Sequence, residues 1–510
     1  MSSSLPENAA AARDALAAGR PALVWQRIVA DTETPVGAAL KLIEPERGDF
    51  LLESVEGGET RGRYSLLGLD PDLVFRATAT HCEVNRRWQH DRAAFEPLAR
   101  DSLTELRALA ASCLITDIPA ELPPALACLV GYFGYETIGL VEKLPRAPQS
   151  ALELPDMLFV RPTLVLVFDR LKDQLFCIAP LWADGSDPAT QIARAGERIE
   201  EALRRLTAAV PAAVRATDLP EMVLSPVMPA ADYKAMVLKA KDYIEAGDIF
   251  QVVLAQRFTC PFPLPPVQLY RALRRVNPSP FLYFLDLPGF AVIGSSPEIL
   301  VRVRPDTNGE AEVTIRPIAG TRPRGSTPEE DKANEIALLA DPKERAEHLM
   351  LLDLGRNDVG RVAARNSVRV TDSYTIERYS HVMHIVSNVV GHLDPSHDAL
   401  DALFAGFPAG TVSGAPKIRA CQIIAGLEPE TRGAYAGGVG YFAPDGSVDS
   451  CIVLRTAVVK DGVMNVQAGA GIVADSVPEY EQRECEAKAG ALIAAAREAA
   501  RVAQEPGFGQ

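Results

Sequence analysis

FLYFLDLPGFAVIGSSPEILVRV, residues 281–303, decides the fold. Phe281–Leu285, Phe290–Gly294 and Ile299–Val303 are short apolar runs rich in β-branched and aromatic residues. Pro288-Gly289 and Ser295-Ser296-Pro297 punctuate them. Such runs between turn residues predict successive strands of an antiparallel sheet. Ile249–Phe258 (IFQVVLAQRF) alternates as a further strand just upstream. Val439–Phe442, Asp449–Val459 and Met464–Gly469 read the same way downstream.

The 510 residues exceed what a single core of about 250–300 residues supports, so at least two lobes are expected. The first two hundred residues mix short strands with loops: Ala22–Val29, Phe50–Ser54, Tyr64–Leu69, Leu73–Ala77, Ala127–Phe133 and Thr163–Phe168. They follow an Ala-rich helical segment within residues 1–20 and precede an amphipathic helix over Gln191–Ala208. A Pro/Ala-rich linker near residues 209–229 separates an N-terminal region, 1–220, from a second region, 221–510. Asp232–Ala246, Pro342–Asn357 and Glu479–Ala503 predict helices. Asp341 is placed as N-cap of the middle one and Pro342 at its first position. Neighbouring strands followed by helices predict an α+β fold rather than a doubly wound parallel sheet.

Composition narrows the function. The chain is 47% hydrophobic and 23% charged, which excludes a mainly disordered polymer. Its net charge of −15 and the lack of a Lys/Arg tract argue against nucleic-acid binding. There is no apolar run of about 18 residues, so no membrane association is expected. The N-terminus lacks the layout of a secretion signal, and eight scattered cysteines with no C-x-x-C pair suit a cytoplasmic location.

Chemistry enters through carboxylates. Glu344 and Glu347 stand at i and i+3 on one predicted helix, and Glu481 and Glu484 repeat that spacing on another. Two such pairs suit a hard divalent cation such as Mg²⁺, although each alone reads as a solvated helix face. FPAGTVSGAPK (407–417), RGAYAGGVGY (432–441) and QAGAGI (467–472) are glycine-rich segments whose backbone N–H groups can converge on an anion. None fits a P-loop or dinucleotide template. Arg455, within CIVLRTAVV, is a cation among apolar neighbours and needs either a ligand carboxylate or a structural ion pair. Lys488 lies four residues after Glu484 on the same helix face, where an ordinary i,i+4 pair is the plain alternative. Glu298 follows the turn at 295–297 and opens a strand, which can aim a carboxyl into a cleft for general-acid work or simply cap the turn. His384, in a strand-like alternation, is a catalyst or a satisfied structural residue. Together these features describe a Mg²⁺-dependent site for a small polyanionic substrate.

RPIAGTRPRG (316–325), KERAEHLMLLDLGRNDVGRV (343–362), YSHVMHIVSNVVG (379–391), FPAGTVSGAPKIRA (407–420) and QAGAGIVADSVPEYE (467–481) resemble the chorismate-utilising enzymes. Within that family the likeness is greatest to the large subunits of anthranilate synthases. It is strong over about the last 290 residues and thinner before them, through LLES (51–54) and GRYSLLG (62–68). The resemblance implies a sandwich of large antiparallel sheets flanked by helices, with an N-terminal regulatory region packed on a chorismate-binding catalytic domain. It implies Mg²⁺ on Glu347 and Glu484, with Glu344 and Glu481 in the same acidic shell. Chorismate is expected against Gly320, Thr321, Tyr435, Arg455, Gly469, Ala470, Gly471 and Lys488. Thr411 and His384 are expected at the reacting ring, and Glu298 as the acid for the departing 4-hydroxyl.

Two positions separate sister activities by the same resemblance. Isochorismate and salicylate synthases carry a water-activating Lys where this chain has Gln251. Aminodeoxychorismate synthases carry a nucleophilic Lys where this chain has Ala319. Direct attack by ammonia, giving anthranilate and pyruvate in tryptophan biosynthesis, is therefore preferred, with aminodeoxychorismate synthase next and isochorismate synthase after it. A regulatory protein on an inactive scaffold is disfavoured because Glu347, Glu484, Arg455 and His384 are all present. No Cys lies in a G-x-C-x-G context with a downstream His-x-Glu, so ammonia is expected from a separate glutamine amidotransferase subunit in a hetero-oligomer, a heterotetramer. Feedback inhibition by L-tryptophan is expected at Glu53, Ser54, Asn277, Pro280, Phe281 and Leu282.

Overall fold

Strand pairing in the computed structural model, which describes residues 6–56, 60–212, 214–379 and 382–505, builds two antiparallel sheets of twelve strands each among those residues. The first runs in the order Ala22–Val29, Gln174–Leu181, Leu164–Asp169, Thr60–Leu69, Asp49–Glu56, Phe281–Leu287, Phe290–Ser296, Thr456–Lys460, Val463–Ile472, Gln251–Pro261 and Ser225–Pro226. Gly414–Ala415 also pairs with Gln251–Pro261. The second runs Ile318–Pro323, Val382–His392, Ala311–Ile315, Ile299–Pro305, Val448–Ile452, Gly438–Phe442, Leu129–Phe133, Met157–Arg161, Leu73–Thr78, His81–Asn85 and Glu96–Pro97, with Arg369–Arg378 on the outer side of Val382–His392. The architecture is α+β, two large antiparallel sheets flanked by helices. Ser380 and His381 of the YSHVMH motif, and residues 1–5 of the Ala-rich opening, lie outside the described residues.

Side-chain alternation explains the layering. Phe50, Leu66, Val165, Val167, Tyr283 and Val292 enter the core between the sheets. Their chain neighbours Leu51, Leu67, Leu166, Phe168, Phe284 and Ile293 join a second core that includes Ile192 and Ile199 of the helix Pro188–Leu206 and Leu269 and Leu273 of the helix Pro266–Val276. A strand buried on both faces shows no polar alternation, which is why Met157–Arg161 and Gln174–Leu181 escape a periodicity reading. Strands from either side of residue 220 share both sheets: Asp49–Glu56 pairs with Phe281–Leu287, and Leu129–Phe133 with Gly438–Phe442.

Two expectations are corrected. The three strands of residues 281–303 do not lie in one sheet: Phe281–Leu287 and Phe290–Ser296 form a hairpin in the first, while Ile299–Pro305 joins the second. Pro297 has no N–H to continue the ladder, and the chain crosses between sheets there. Residues 449–459 are likewise two strands, Val448–Ile452 in the second sheet and Thr456–Lys460 in the first. Arg455 therefore lies between strands, with left-handed backbone at φ 47°. The two crossings run side by side. Ser295 N–H donates to the Arg455 carbonyl at 3.2 Å, and Ile452 N–H to the Glu298 carbonyl at 3.0 Å.

A buried ion pair braces the region beneath. Arg432 and Glu428, with side chains 1% and 3% exposed, meet through two guanidinium nitrogens at 2.8 and 2.5 Å. Arg432 also donates to the carbonyls of Val412 and Val253 at 2.7 Å, and Glu428 accepts Ala255 N–H at 2.8 Å. Burial opposes the Arg432 charge, and Glu428 more than restores it. Removing one member strands the other without compensation. Glu428→Ala is expected to destabilise the protein by about 3–5 kcal/mol, read as a lower urea midpoint, and a midpoint equal to the parent's would refute this bracing role.

Candidate active site

Two helix starts bring the acidic residues together. In Pro342–Gly360 the Asp341 side chain caps the N-terminus, accepting the N–H groups of Lys343 at 2.9 Å and Glu344 at 3.2 Å, and Pro342 occupies the first turn. Glu344 and Glu347 share the next face. Pro478–Gln504 likewise opens with proline and presents Glu481, Glu484 and Lys488. Burial pushes the Glu347 carboxyl above its ordinary range, and the charges of Glu344 and Glu484 push it further. Glu481 is buried and is raised first by burial and then by Glu484, with a hydrogen bond from Ser476 opposing. Two of the four already have cations: Arg322 meets Glu344 at 3.0 Å, and Lys488 meets Glu484 at 2.8 Å. Like charges held together and partly out of water fit a hard divalent cation, with oxygen ligands only. Among the described residues a tighter acidic cluster with a histidine, Asp306, Glu310 and His392, lies elsewhere, on strands of the second sheet and the hairpin beside them.

The crossings supply two further charged groups, Glu298 and Arg455. Glu298 is half-buried and accepts the Thr411 hydroxyl at 2.8 Å. Burial raises its carboxyl above the usual range, against the opposing pull of Thr411, Arg455 and Lys488. Arg455 has no carboxylate within ion-pair distance among the described residues, so the structural ion pair left open by the sequence is not what holds it. Burial works against its charge, and Glu298 and Tyr379 support it.

His384 lies on Val382–His392 directly opposite Thr321. Its Nδ1 is 3.0 Å from the Gly320 carbonyl and 3.1 Å from the Thr321 hydroxyl. A carbonyl only accepts, so Nδ1 carries the proton and Nε2 keeps its lone pair. Burial lowers the ring's pKa and keeps it neutral. Gly320 adopts φ 72°, and a Cβ there would come within 3.2 Å of Glu344 Oε2. Gly320 thus sits at the bulge of the strand Ile318–Pro323, where its left-handed backbone and the closeness of Glu344 favour glycine.

The glycine strand Val463–Ile472 closes the other side. A Cβ on Gly469 would lie 2.8 Å from the Tyr435 hydroxyl and 2.9 Å from the Leu254 carbonyl, and one on Gly471 would lie 2.5 Å from Gln251 Nε2. Lys488 Nζ donates to the Gly469 carbonyl at 2.9 Å, which ties the acidic helix to this strand. Ala470, one step between the two glycines, turns its methyl into the core, so its backbone alone faces a ligand. Arg322 and Tyr379 escaped the sequence reading as parts of the site, and Gln251, read there only as standing in place of a lysine, shows a further feature. Arg322 alternates out of IAGTRP towards Asp341 and Glu344. The buried Gln251 leaves Oε1 without a hydrogen-bond partner, an acceptor waiting for a donor. Tyr379 sets its ring edge-on to His384.

A second opening, about 950 Å³, lies between the sheets. Glu53, Ser54, Pro280, Phe281 and Leu282 line it together. Asn277 does not: its side chain and carbonyl both bond Ser295 at the crossing. Glu53 is buried and already accepts Arg170 at 2.6 Å, Tyr270 at 2.6 Å and both Arg274 donors at 2.9 Å.

Residues 49–494 match the family of chorismate binding enzymes. Anthranilate synthase component 1 of Cereibacter sphaeroides is 53% identical over 497 residues, 96% of this chain and 98% of the relative. The protein of that name from Thermus thermophilus is 46% identical, covering 92% of this chain and 96% of its own. The crystal structure of anthranilate synthase component I from Streptococcus pneumoniae superposes with a TM-score of 0.74 at 36% identity, covering 85% of this chain and 92% of that one. The menaquinone-specific isochorismate synthase of Escherichia coli shares the fold, with a TM-score of 0.68 at 19% identity over 93% of this chain and 95% of that one. With its sheets, helices and sequence matched almost end to end, the chain belongs to the chorismate binding enzyme family.

Proposed function

We propose that the chain is the chorismate-using subunit of an anthranilate synthase, a lyase that joins ammonia to chorismate and releases anthranilate and pyruvate. The observation that carries this reading is the nearness of Arg455, which has no carboxylate within ion-pair distance among the described residues, to Glu298, a carboxyl inclined to hold its proton, together with the four glutamates. Chorismate has two carboxylates, and such a site offers each a positive partner. Arg455 grips one carboxylate, aided by backbone N–H groups of the glycine strand. Glu344, Glu347, Glu481 and Glu484 would hold Mg²⁺, which when bound supplies the charge that neutralises the other. Glu298 donates a proton to the 4-hydroxyl as it leaves as water, and ammonia forms its bond at ring C2. The added ammonia gives up one proton; the C2 hydrogen then leaves as a proton while the C3–O bond breaks, so that the enolpyruvyl arm departs, takes up a proton as pyruvate and leaves the ring aromatic. Gln251 supports ammonia rather than water as nucleophile, since an amide side chain cannot deprotonate water, and Ala319 offers no covalent alternative. Ammonia comes from a separate glutamine amidotransferase subunit. Residues 1–220 act as the regulatory region, with L-tryptophan in the cleft at Ser54, Pro280, Phe281 and Leu282.

Chorismate, Mg²⁺ and concentrated ammonium at mildly alkaline pH are expected to yield anthranilate with the pure chain. Isochorismate or 4-amino-4-deoxychorismate as product would replace the assignment with a sister activity. Glu347→Gln removes a ligand charge and is expected to lower kcat at least 10²-fold with the melting curve retained, so parent-like turnover at limiting Mg²⁺ would sink the metal assignment.

Protonated Glu298 is the active form, so turnover falls as pH rises through its pKa. Glu298→Gln is expected to lose about 10²–10⁴ in kcat. Thr411→Val removes a donor that favours the carboxylate, so the alkaline limb of kcat moves to higher pH; a limb that stays put, or moves down, contradicts the assignment.

Ser54→Phe intrudes on the tryptophan cleft and is expected to raise the half-inhibiting tryptophan concentration at least tenfold. Equal inhibition of mutant and parent places the effector elsewhere.

A further inference from the structure

Resting on the reading of this site as anthranilate-forming, we propose that Tyr379 is a positioning residue for the reaction, the shared wall through which the cleft between the sheets acts on His384. Its ring meets the His384 ring edge-on, with centroids 5.5 Å apart at 61°. Its backbone is pinned on both sides: Tyr379 N–H donates to the Val382 carbonyl at 2.8 Å, and Arg324 donates to the Tyr379 carbonyl at 2.7 Å. The hydroxyl donates to Glu377 at 2.9 Å, and Glu377 is in turn held by Arg316. Glu377, Arg316 and Tyr379 all line the cleft of Ser54 and Phe281. One side chain, only 7% exposed, thus has its tether in the cleft and its ring on the catalytic histidine.

Strand geometry places the same wall elsewhere along the sheet. Pro297 and Ile299 line the cleft, while Glu298 between them bonds Thr411 in the active site. Ile318 lines the cleft, and Gly320 and Thr321 two and three residues on hold His384. Glu298 and Arg455 share the electrostatic surroundings of Tyr379. Of these wall residues Tyr379 alone both lines the cleft and sets its ring edge-on to a reacting-site ring. An occupant that shifts the Tyr379 tether shifts the surface against which the imidazole is set, and a small misplacement of a catalytic group lowers turnover steeply.

The test compares the parent, Tyr379→Leu and Tyr379→Phe, with saturating Mg²⁺ and ammonium. Tyr379→Leu is expected to lower kcat at least tenfold with KM for chorismate within threefold of the parent. Losing the ring cover admits water to His384, so the acid limb of kcat moves to higher pH. Tyr379→Phe restores the ring and is expected to recover kcat to within threefold. It lacks the tether, so half-inhibition needs at least fivefold more tryptophan while calorimetric tryptophan binding stays within twofold. Should the leucine variant melt below assay temperature, Tyr379→Met fills the space with the same expectations. An active parent alongside a leucine or methionine variant with parental kcat and acid limb overturns the positioning role. Parental inhibition of Tyr379→Phe overturns the link to the cleft. A parent that forms no anthranilate overturns the functional reading itself, and this inference with it.

Discussion

Two backbone hydrogen bonds, Ser295 N–H to the Arg455 carbonyl and Ile452 N–H to the Glu298 carbonyl, hold together the places where two antiparallel ribbons leave one sheet for the other. Each ribbon is laddered to its partner on both sides of the crossing, Phe290–Ser296 against Thr456–Lys460 in the first sheet and Ile299–Pro305 against Val448–Ile452 in the second. The crossing residues therefore cannot move apart without breaking two sheets. Their side chains are free of the ladder's alternation, and the charge of Glu298 acts on Arg455 from the neighbouring crossing. That is how a carboxyl and a guanidinium from positions 157 residues apart in sequence, 298 and 455, come to share one site. Asn277 belongs to this constraint, because its side chain and its carbonyl both bond Ser295.

Charge placement follows from that frame. The chain carries a net charge of −15, yet the pocket needs cations for an anionic substrate. Three basic residues are arranged differently around it. Arg432 is fully spent on Glu428 and two carbonyls and serves packing. Lys488 is divided between Glu484 and the Gly469 carbonyl. Arg455 has no carboxylate within ion-pair distance among the described residues, and only the more distant charges of Glu298 and Tyr379 offset its burial, which suits the carboxylate-binding role proposed for it. The four glutamates show the reverse arrangement, excess negative charge crowded on two helix starts. Neither arrangement stabilises the fold, and both make sense as binding groups.

The sequence made legible what depends on local chemistry. Asp341 and Pro342 announced the helix that carries Glu344 and Glu347, and the i,i+3 spacing of both acidic pairs survives in space. The break at Pro288-Gly289 between two strands was equally plain, and a hairpin closes there. What stayed hidden is which sheet a strand joins. CIVLRTAVV reads as one β-rich run because a single left-handed residue leaves no compositional trace, and only glycine or asparagine at Arg455 would have marked it. Ile299–Pro305 looks like the next strand of its own hairpin until Pro297 is seen as a crossing. Tyr379 gave no signal, since an aromatic before a strand is ordinarily packing, and its role emerges from the histidine on one side and the cleft on the other.

Glu53 shows how far a motif alone reaches. A carboxylate offers about four lone-pair directions, and here four donors from Arg170, Tyr270 and Arg274 occupy them. A ligand ammonium in the proposed effector site would have to displace one of these donors, and the easiest to release is Arg170, the more exposed of the two arginines at 22% against 11%. Tyr270 and Arg274 belong to the helix Pro266–Val276, which packs on the long C-terminal helix that carries Glu481 and Glu484. Recruiting Glu53 to a ligand thus loosens a contact between the N-terminal strand and the helix pair bearing half of the acidic cluster. Leaving Glu53 untouched restricts the effector's polar contacts to Ser54 and exposed backbone. The first arrangement couples effector and metal site through the helices, the second through the shared sheet wall at Tyr379, and the saturation of Glu53 favours the wall.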